Sequence, residues 1–188
     1  NFRNVPNLTF IDNNELIRTP LIESCNDLDS LPFPILYTEK YPNKTIPMIS
    51  SRGCSFNCIY CSSAAYWGKK VRFRSIDNVV RELKFYHAKG YRIFNMLDDN
   101  FNLQPKRVFD FSKKIKELNV TWMAKFNVKQ LSKEMLDAIR SSGCTEILLG
   151  IESADLEVQK NTGKIVDLVK TEEMVKYARK LDLKVICG

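Results

Sequence analysis

From residue 46 onward the apolar and polar positions fall into two alternating patterns: short apolar runs, and longer stretches whose apolar residues recur at helical spacing. Ile46-Pro47-Met48-Ile49-Ser50 predicts a first strand, and Ile76-Asp77 begins a helix that runs to about Lys89, with Gly90 as its stop. Tyr91 to Leu97 predicts a buried strand, followed by a helix from Pro105, a residue suited to a first helical turn, to about Leu118. Val120 to Phe126 is a third strand; Ser132 then caps a helix in which Met135, Leu136 and Ile139 recur before Gly143. Glu146 to Ile151 is a fourth strand. A helical piece around Asp155 to Lys160, a break at Gly163, a helix from about Thr171 to Leu181 and a fifth strand at Leu183 to Cys187 complete the series.

Alternation of strand and helix predicts an α/β fold, a parallel sheet with its crossover helices outside. If such a sheet curves toward a barrel, the loops after each strand gather on one rim, where these folds place their chemistry. On that rim the cysteine loop 54–61, Asp98-Asp99-Asn100, the neighbourhood of Lys125 to Asn127 and Glu152-Ser153 would face one ligand. Residues 1–45 read differently. Pro6, Pro20, Pro32, Pro34 and Pro42 puncture them, and pieces such as Leu8-Thr9-Phe10-Ile11 and Leu21-Ile22 are separated by Asn- and Asp-rich turns. The expected organisation is an extended, weakly structured arm over 1–45 and a regular α/β core over 46–188.

Composition changes this picture little. The 188 residues are 44% hydrophobic and 27% charged, ordinary globular usage and enough chain for one sizeable core. No apolar run approaches the length of a membrane span, and Asn1-Phe2-Arg3-Asn4 opens no signal peptide. A formal net charge of +7 would suit nucleic acid, but the basic residues are spread through amphipathic helices (Lys106-Arg107, Lys113-Lys114-Ile115-Lys116, Lys176, Arg179, Lys180) without interleaved aromatics. That distribution reads as a solvated face and argues against a nucleic-acid partner. Six cysteines are too few for a disulfide scaffold, and Cys25, Cys144 and Cys187 are scattered as incidental thiols, which predicts a reducing, cytoplasmic setting.

The chemistry lies in Cys54-Ser55-Phe56-Asn57-Cys58-Ile59-Tyr60-Cys61, where three cysteines with three and then two residues between them converge in one loop. A closed zinc site uses four ligands, usually as two separated pairs, and a fully protein-bound iron–sulfur cluster uses four thiolates. No fourth cysteine lies nearby. The spacing therefore predicts a [4Fe-4S] cluster with three irons on Cys54, Cys58 and Cys61 and the fourth open to a substrate or cofactor. A partial zinc site completed from a distance stands as the alternative, with His87, the chain's single histidine, as its candidate fourth ligand. His87 sits in a run of helical periodicity, which predicts a helix flank instead.

This loop resembles the signature of the radical S-adenosylmethionine (SAM) enzymes, in which an aromatic residue, here Tyr60, precedes the last cysteine. The likeness extends through Gly53, Trp67-Gly68, Val71-Arg72-Phe73-Arg74-Ser75, Leu97-Asp98-Asp99-Asn100-Phe101 and Gly150-Ile151-Glu152-Ser153 to the subgroup that carries a cobalamin-binding domain ahead of its core. It covers roughly residues 46 to 188, and Leu28 to Pro34 looks like the connector ahead of that core in the subgroup, which implies that it packs along the core through its apolar side chains. What the resemblance implies is an incomplete (β/α) partial barrel, truncated after its fifth strand, that binds a [4Fe-4S] cluster and SAM and cleaves SAM reductively to methionine and a 5′-deoxyadenosyl radical. It further implies a cobalamin-dependent methyltransferase or cyclase, with cobalamin bound by a domain outside this chain and electrons from a donor such as a flavodoxin or ferredoxin.

For the SAM contacts, Asp98, Asp99 and Asn100 are candidates for the ammonium, although many relatives carry Gly-Gly-Glu there and this sequence departs from it. Glu152 and Ser153 suit the ribose hydroxyls, Lys125 or Asn127 the methionyl carboxylate, and Tyr60 offers backbone and ring edge to adenine. Arg72 and Arg74 read equally well as structural charges closing the loop. Two alternatives stay open: a methylthiotransferase-like modifier of RNA or protein, and a non-catalytic iron–sulfur or zinc module.

Overall fold

The computed structural model of the chain describes residues 1–22, 25–34, 45–68 and 70–188; Pro42 of the expected arm lies outside them. The arm begins with a hairpin, β1 (Thr9–Asp12) and β2 (Glu15–Arg18), paired antiparallel. Its two-residue turn, Asn13-Asn14, has φ of 51° and 65°, the left-handed pair that a type I′ turn demands and that asparagine tolerates. The expectation of weak structure over 1–45 omits this hairpin, whose signal was the Asn-Asn pair between two short apolar pieces. Farther along, the connector is docked. Leu28 is 2% exposed, the Asp29 carboxylate accepts from Ser75 N at 2.9 Å, and the Phe33 ring lies 6.1 Å from that of Phe85.

The core is a sheet of five strands in the order β3 (Thr45–Met48), β6 (Ile93–Met96), β7 (Thr121–Phe126), β8 (Cys144–Leu149) and β9 (Lys184–Cys187). Every neighbouring pair in it is parallel. Two short strands, β4 (Ser51–Arg52) and β5 (Arg72–Phe73), pair separately. The crossover helices are α2 (Ile76–Ala88), α3 (Pro105–Ile115), α4 (Lys133–Ser141) and α6 (Leu168–Lys180), with shorter α1 (Ser62–Trp67) and α5 (Leu156–Thr162) in the rim loops. Apart from shifts of a residue or two at element ends, such as β8 at Cys144–Leu149 where Glu146 to Ile151 is expected, the expected core elements are observed; α6 starts earlier, where Asp167 caps Lys170 N at 2.9 Å, and α1, β4 and β5 are additional. Among the described residues no helix is long and apolar enough to cross a membrane.

One face of the sheet is closed by helices. Ile46, Phe94, Trp122 and Ile147, each 0% exposed, point into that layer and pack with Val79, Leu83, Phe111 and Leu136. Trp122 makes edge-on or tilted contact with Phe111 at 5.3 Å and Phe101 at 5.5 Å, and its indole N–H donates to Ser142 O at 3.1 Å, so the largest core residue leaves no polar atom unpaired. The opposite face, with Ile49 39% and Leu97 46% exposed, is open. Helix starts are capped as the sequence predicts: Ser132 Oγ accepts from Met135 N at 3.2 Å. Ser132→Ala is expected to lower the unfolding free energy by about 1 kcal/mol, read from the urea midpoint, whereas an unchanged midpoint would show that the cap contributes nothing.

Candidate active site

The cysteine loop is an excursion from the end of β3, closed at its base by the pairing of Ser51 with Phe73 and Arg52 with Arg72. Gly53 has φ of 98° and a Cβ there would lie 2.9 Å from Lys70 O, so this closure requires glycine. At its far side the loop leans on the end of α5: Ile59 N donates to Thr162 O at 3.0 Å, and a Cβ on Gly163 would meet Asn57 O at 3.1 Å. Cys54, Cys58 and Cys61 thereby line one cavity of about 300 Å³, at the lower end of the usual ligand-pocket range. Tyr60, Asp99, Asn100, Lys125, Asn127 and Glu152 line it as well.

Asp98 and Ser153 are not among the lining residues, and the structure shows what they do instead. Asp98 is 0% exposed. Its carboxylate accepts from Ser50 N at 3.1 Å and Ser50 Oγ at 2.8 Å, and from Ser51 Oγ. Burial pushes its pKa up, against the pull of these donors. Arg107, expected on a solvated face, is half-buried beside it, donating to Ser50 O at 3.4 Å with its guanidinium 4.7 Å from the Phe73 ring centroid. The next residue, Asp99, accepts from Ser63 Oγ at 2.9 Å on α1. Two adjacent carboxylates at the end of β6 therefore hold the chain just before and just after the three cysteines. Ser153 Oγ turns away to accept from Asp155 N at 3.0 Å, at the start of α5.

The remaining rim residues are fixed by backbone locks. Asn102, fully buried, donates to Asn127 O at 2.9 Å and accepts from Asn127 N at 2.8 Å, tying the loop after β6 to the end of β7. Glu152 holds φ of 65°, a conformation that costs a non-glycine residue roughly 1–3 kcal/mol and is concentrated at functional sites. Ile151 N and Glu152 N both donate to Gly188 O, at 2.8 and 2.7 Å, and keep it there. Its carboxylate accepts from Lys164 Nζ at 2.9 Å. Lys164 lines the cavity, and its ammonium passes so close over Gly150 that a Cβ at that position would be 2.4 Å away. Sequence reasoning missed Lys164, because no periodicity brings residues beyond the Gly163 break back over the strand ends, and it also missed Lys129, in the short helical turn that follows Asn127.

Electrostatically the thiols feel one another. The Cys54 pKa is raised, first by burial and then by Asp99, Cys61 and Cys58, with the Phe56 backbone opposing. That of Tyr60 is raised by burial, by the charges of Cys58 and Glu152 and by its hydrogen bond to Cys58. Burial and the neighbouring acidic groups disfavour the Cys54 thiolate, and a metal cluster would supply the positive charge that favours it. Among the described residues no three His, Cys, Asp or Glu converge on a single-ion site, whereas a four-iron cluster, with each thiolate on its own iron, asks for wider spacing. His87 is in the last turn of α2, at the opposite end of the strands from the cavity, as a helix flank requires. Cys144 is buried, which pushes its thiol up to about 12, and Cys25 and Cys187 are exposed free thiols.

Comparison with known proteins follows the same outline. The family model described as Radical SAM superfamily matches residues 48–188. A Pyrococcus horikoshii protein called an uncharacterized methyltransferase is 33% identical over 170 residues, covering 87% of this chain and 37% of that protein. The cytidylyl-2-hydroxyethylphosphonate methyltransferase of Streptomyces wedmorensis is 28% identical over 186 residues, 89% of this chain and 35% of its own length. The chain thus spans about a third of these relatives. Among solved structures, the radical SAM methyltransferase TsrM from Kitasatospora setae superposes with a TM-score of 0.80 at 16% identity, covering 100% of this chain and 41% of that one. The cobalamin-dependent SAM radical enzyme OxsB gives 0.79 at 17%, with 100% and 30% covered. At such identity the two structures speak for the fold.

Proposed function

Because the chain belongs to the radical SAM superfamily, we propose that Cys54, Cys58 and Cys61 hold a [4Fe-4S] cluster and that the cavity beside them takes SAM. The observation that carries this reading is the gathering of three thiols, Asp99, Glu152 and the cations Lys125 and Lys164 around one cavity at the strand ends. When bound, the cluster supplies the electron that cleaves SAM to methionine and a 5′-deoxyadenosyl radical. The protein's part is to bind, orient and exclude water. Asp99, with one oxygen engaged by Ser63, meets the ammonium; Lys125 or Lys164 meets the carboxylate; Glu152 accepts from the ribose hydroxyls.

The wider reading is a methyltransferase whose cobalamin is bound by a part of the whole protein outside this chain. It is supported by the names of the Pyrococcus and Streptomyces relatives and by the cobalamin in the OxsB structure. An electron donor such as a flavodoxin or ferredoxin and a reducing, cytoplasmic setting belong to the same proposal.

Calorimetry with SAM tests it. Binding is expected only to the cluster-loaded chain, and Glu152→Ala is expected to weaken it about tenfold, about 1.4 kcal/mol, without loss of iron. Equal affinity in the metal-free chain would rule out a SAM site completed by iron.

A further inference from the structure

A second cavity, of about 280 Å³, opens at the β3 edge of the sheet, between the connector and the strand ends. Its walls are apolar: Leu28 and Leu31 of the connector on one side, Pro47, Ile49 and Leu97 of the sheet on the other. Ile49, Leu97 and Lys125 each directly follow the in-register trio Met48, Met96 and Ala124. Leu97, which lines this cavity, and Lys125, which lines the cysteine cavity, are therefore neighbours on adjacent strands, roughly 5 Å apart in backbone. A ligand in the second cavity would lie against the first.

Charge adds a requirement. Two arginines line the second cavity, and they differ. Arg74 is paired with Glu82, a carboxylate 1% exposed, so that pair is neutral. Arg52 has no carboxylate within ion-pair distance among the described residues. Directly opposite it in the β4–β5 ladder stands Arg72, 7% exposed, whose guanidinium donates to Cys25 O at 2.9 Å and likewise has no acidic partner. Both guanidiniums lie over the Trp67 ring, at 5.4 and 5.8 Å from its centroid. Like charges facing each other across a ladder destabilise it, and the indole offsets only part of that. An anionic oxygen group on Arg52 would offset the rest, since a guanidinium matches carboxylate and phosphate geometry in a bidentate way.

We propose that this cavity is a second ligand site, which takes an apolar molecule ending in a carboxylate or phosphate, with the apolar body on Leu28, Pro47, Ile49 and Leu97 and the anion on Arg52. Its place against the cysteine cavity makes it the site of the acceptor, an assignment that rests on the function proposed above.

Octyl compounds with different head groups test it by calorimetry on the metal-free chain. Octyl phosphate and octanoate are expected to bind at least tenfold more tightly than octylamine or octanol, and the tighter of the two identifies the anion recognised. Arg52→Gln erases the anion preference, Arg52→Lys retains part of it, and Leu97→Trp, which fills the cavity, weakens all four. In the cluster-loaded chain octyl phosphate binds equally with and without saturating SAM. Equal binding of all head groups, no binding of any, an unchanged preference in Arg52→Gln, or competition with SAM would each overturn the proposal. The octyl measurements need neither iron nor SAM, so their failure is separate from that of the SAM reading, which shows as SAM binding without the cluster.

Discussion

Cys58→Ala is expected to remove most of the iron and sulfide that the chain takes up on anaerobic reconstitution, with Cys54→Ala and Cys61→Ala doing the same and Cys144→Ala leaving the loading intact. The reason is geometric. The three thiols are the cysteines that line the cavity, and the loop between Ser51 and Ser63 is held at both ends by Asp98 and Asp99, so a lost ligand cannot be replaced by sliding the chain. Cys144, buried in β8 with its thiol pushed up to about 12, is on the helix-covered side of the sheet and has no route to the site. Iron and sulfide analysis of the four variants decides the matter. Full loading of Cys58→Ala would remove the cluster assignment, and loss on Cys144→Ala would relocate it.

The second large effect is expected at Asp98, a residue the sequence offers as a SAM contact and the structure places behind the site. Asp98→Asn keeps the shape but sets an amide N–H₂ against Ser50 N and two hydroxyl donors, all fully or nearly buried, and removes the charge beside Arg107. Leaving buried donors without an acceptor costs about 1–3 kcal/mol, more where a charge is involved, so a loss of about 2–3 kcal/mol in urea unfolding is expected. Iron uptake should fall with it, because Ser50 and Ser51 lead directly into the cysteine loop. A stability change under about 0.5 kcal/mol, the ordinary range for a surface substitution, would show that the carboxylate does not anchor the loop.

Much of this architecture was legible because it depends on local chemistry. Pro105 opens α3, Ser132 caps α4, Gly90 follows α2 and Gly163 ends α5 with φ of 72°, each a local preference that reads the same in any fold. The hairpin at Asn13-Asn14 has a local signal of the same kind, but the surrounding prolines mask it by suggesting an irregular arm. Short α1 and the two-residue strands β4 and β5 carry too few residues to show a period.

By itself the sequence determined the alternation of strand and helix, and with it a parallel sheet whose loops share one rim; it also determined which loop carries the cysteines, because three thiols at that spacing are a property of the chain alone. What only the tertiary structure decided is the direction of each side chain on the rim. Asp98 and Asp99 are adjacent in sequence, yet one is fully buried behind the loop and the other lines the cavity, because consecutive side chains leaving a strand point to opposite sides. Lys164 reaches Glu152, and Arg52 stands opposite Arg72 with no carboxylate partner among the described residues, through contacts between segments far apart in the chain. Such contacts are set by how the helices pack on the sheet, and residue spacing along the chain carries no record of them.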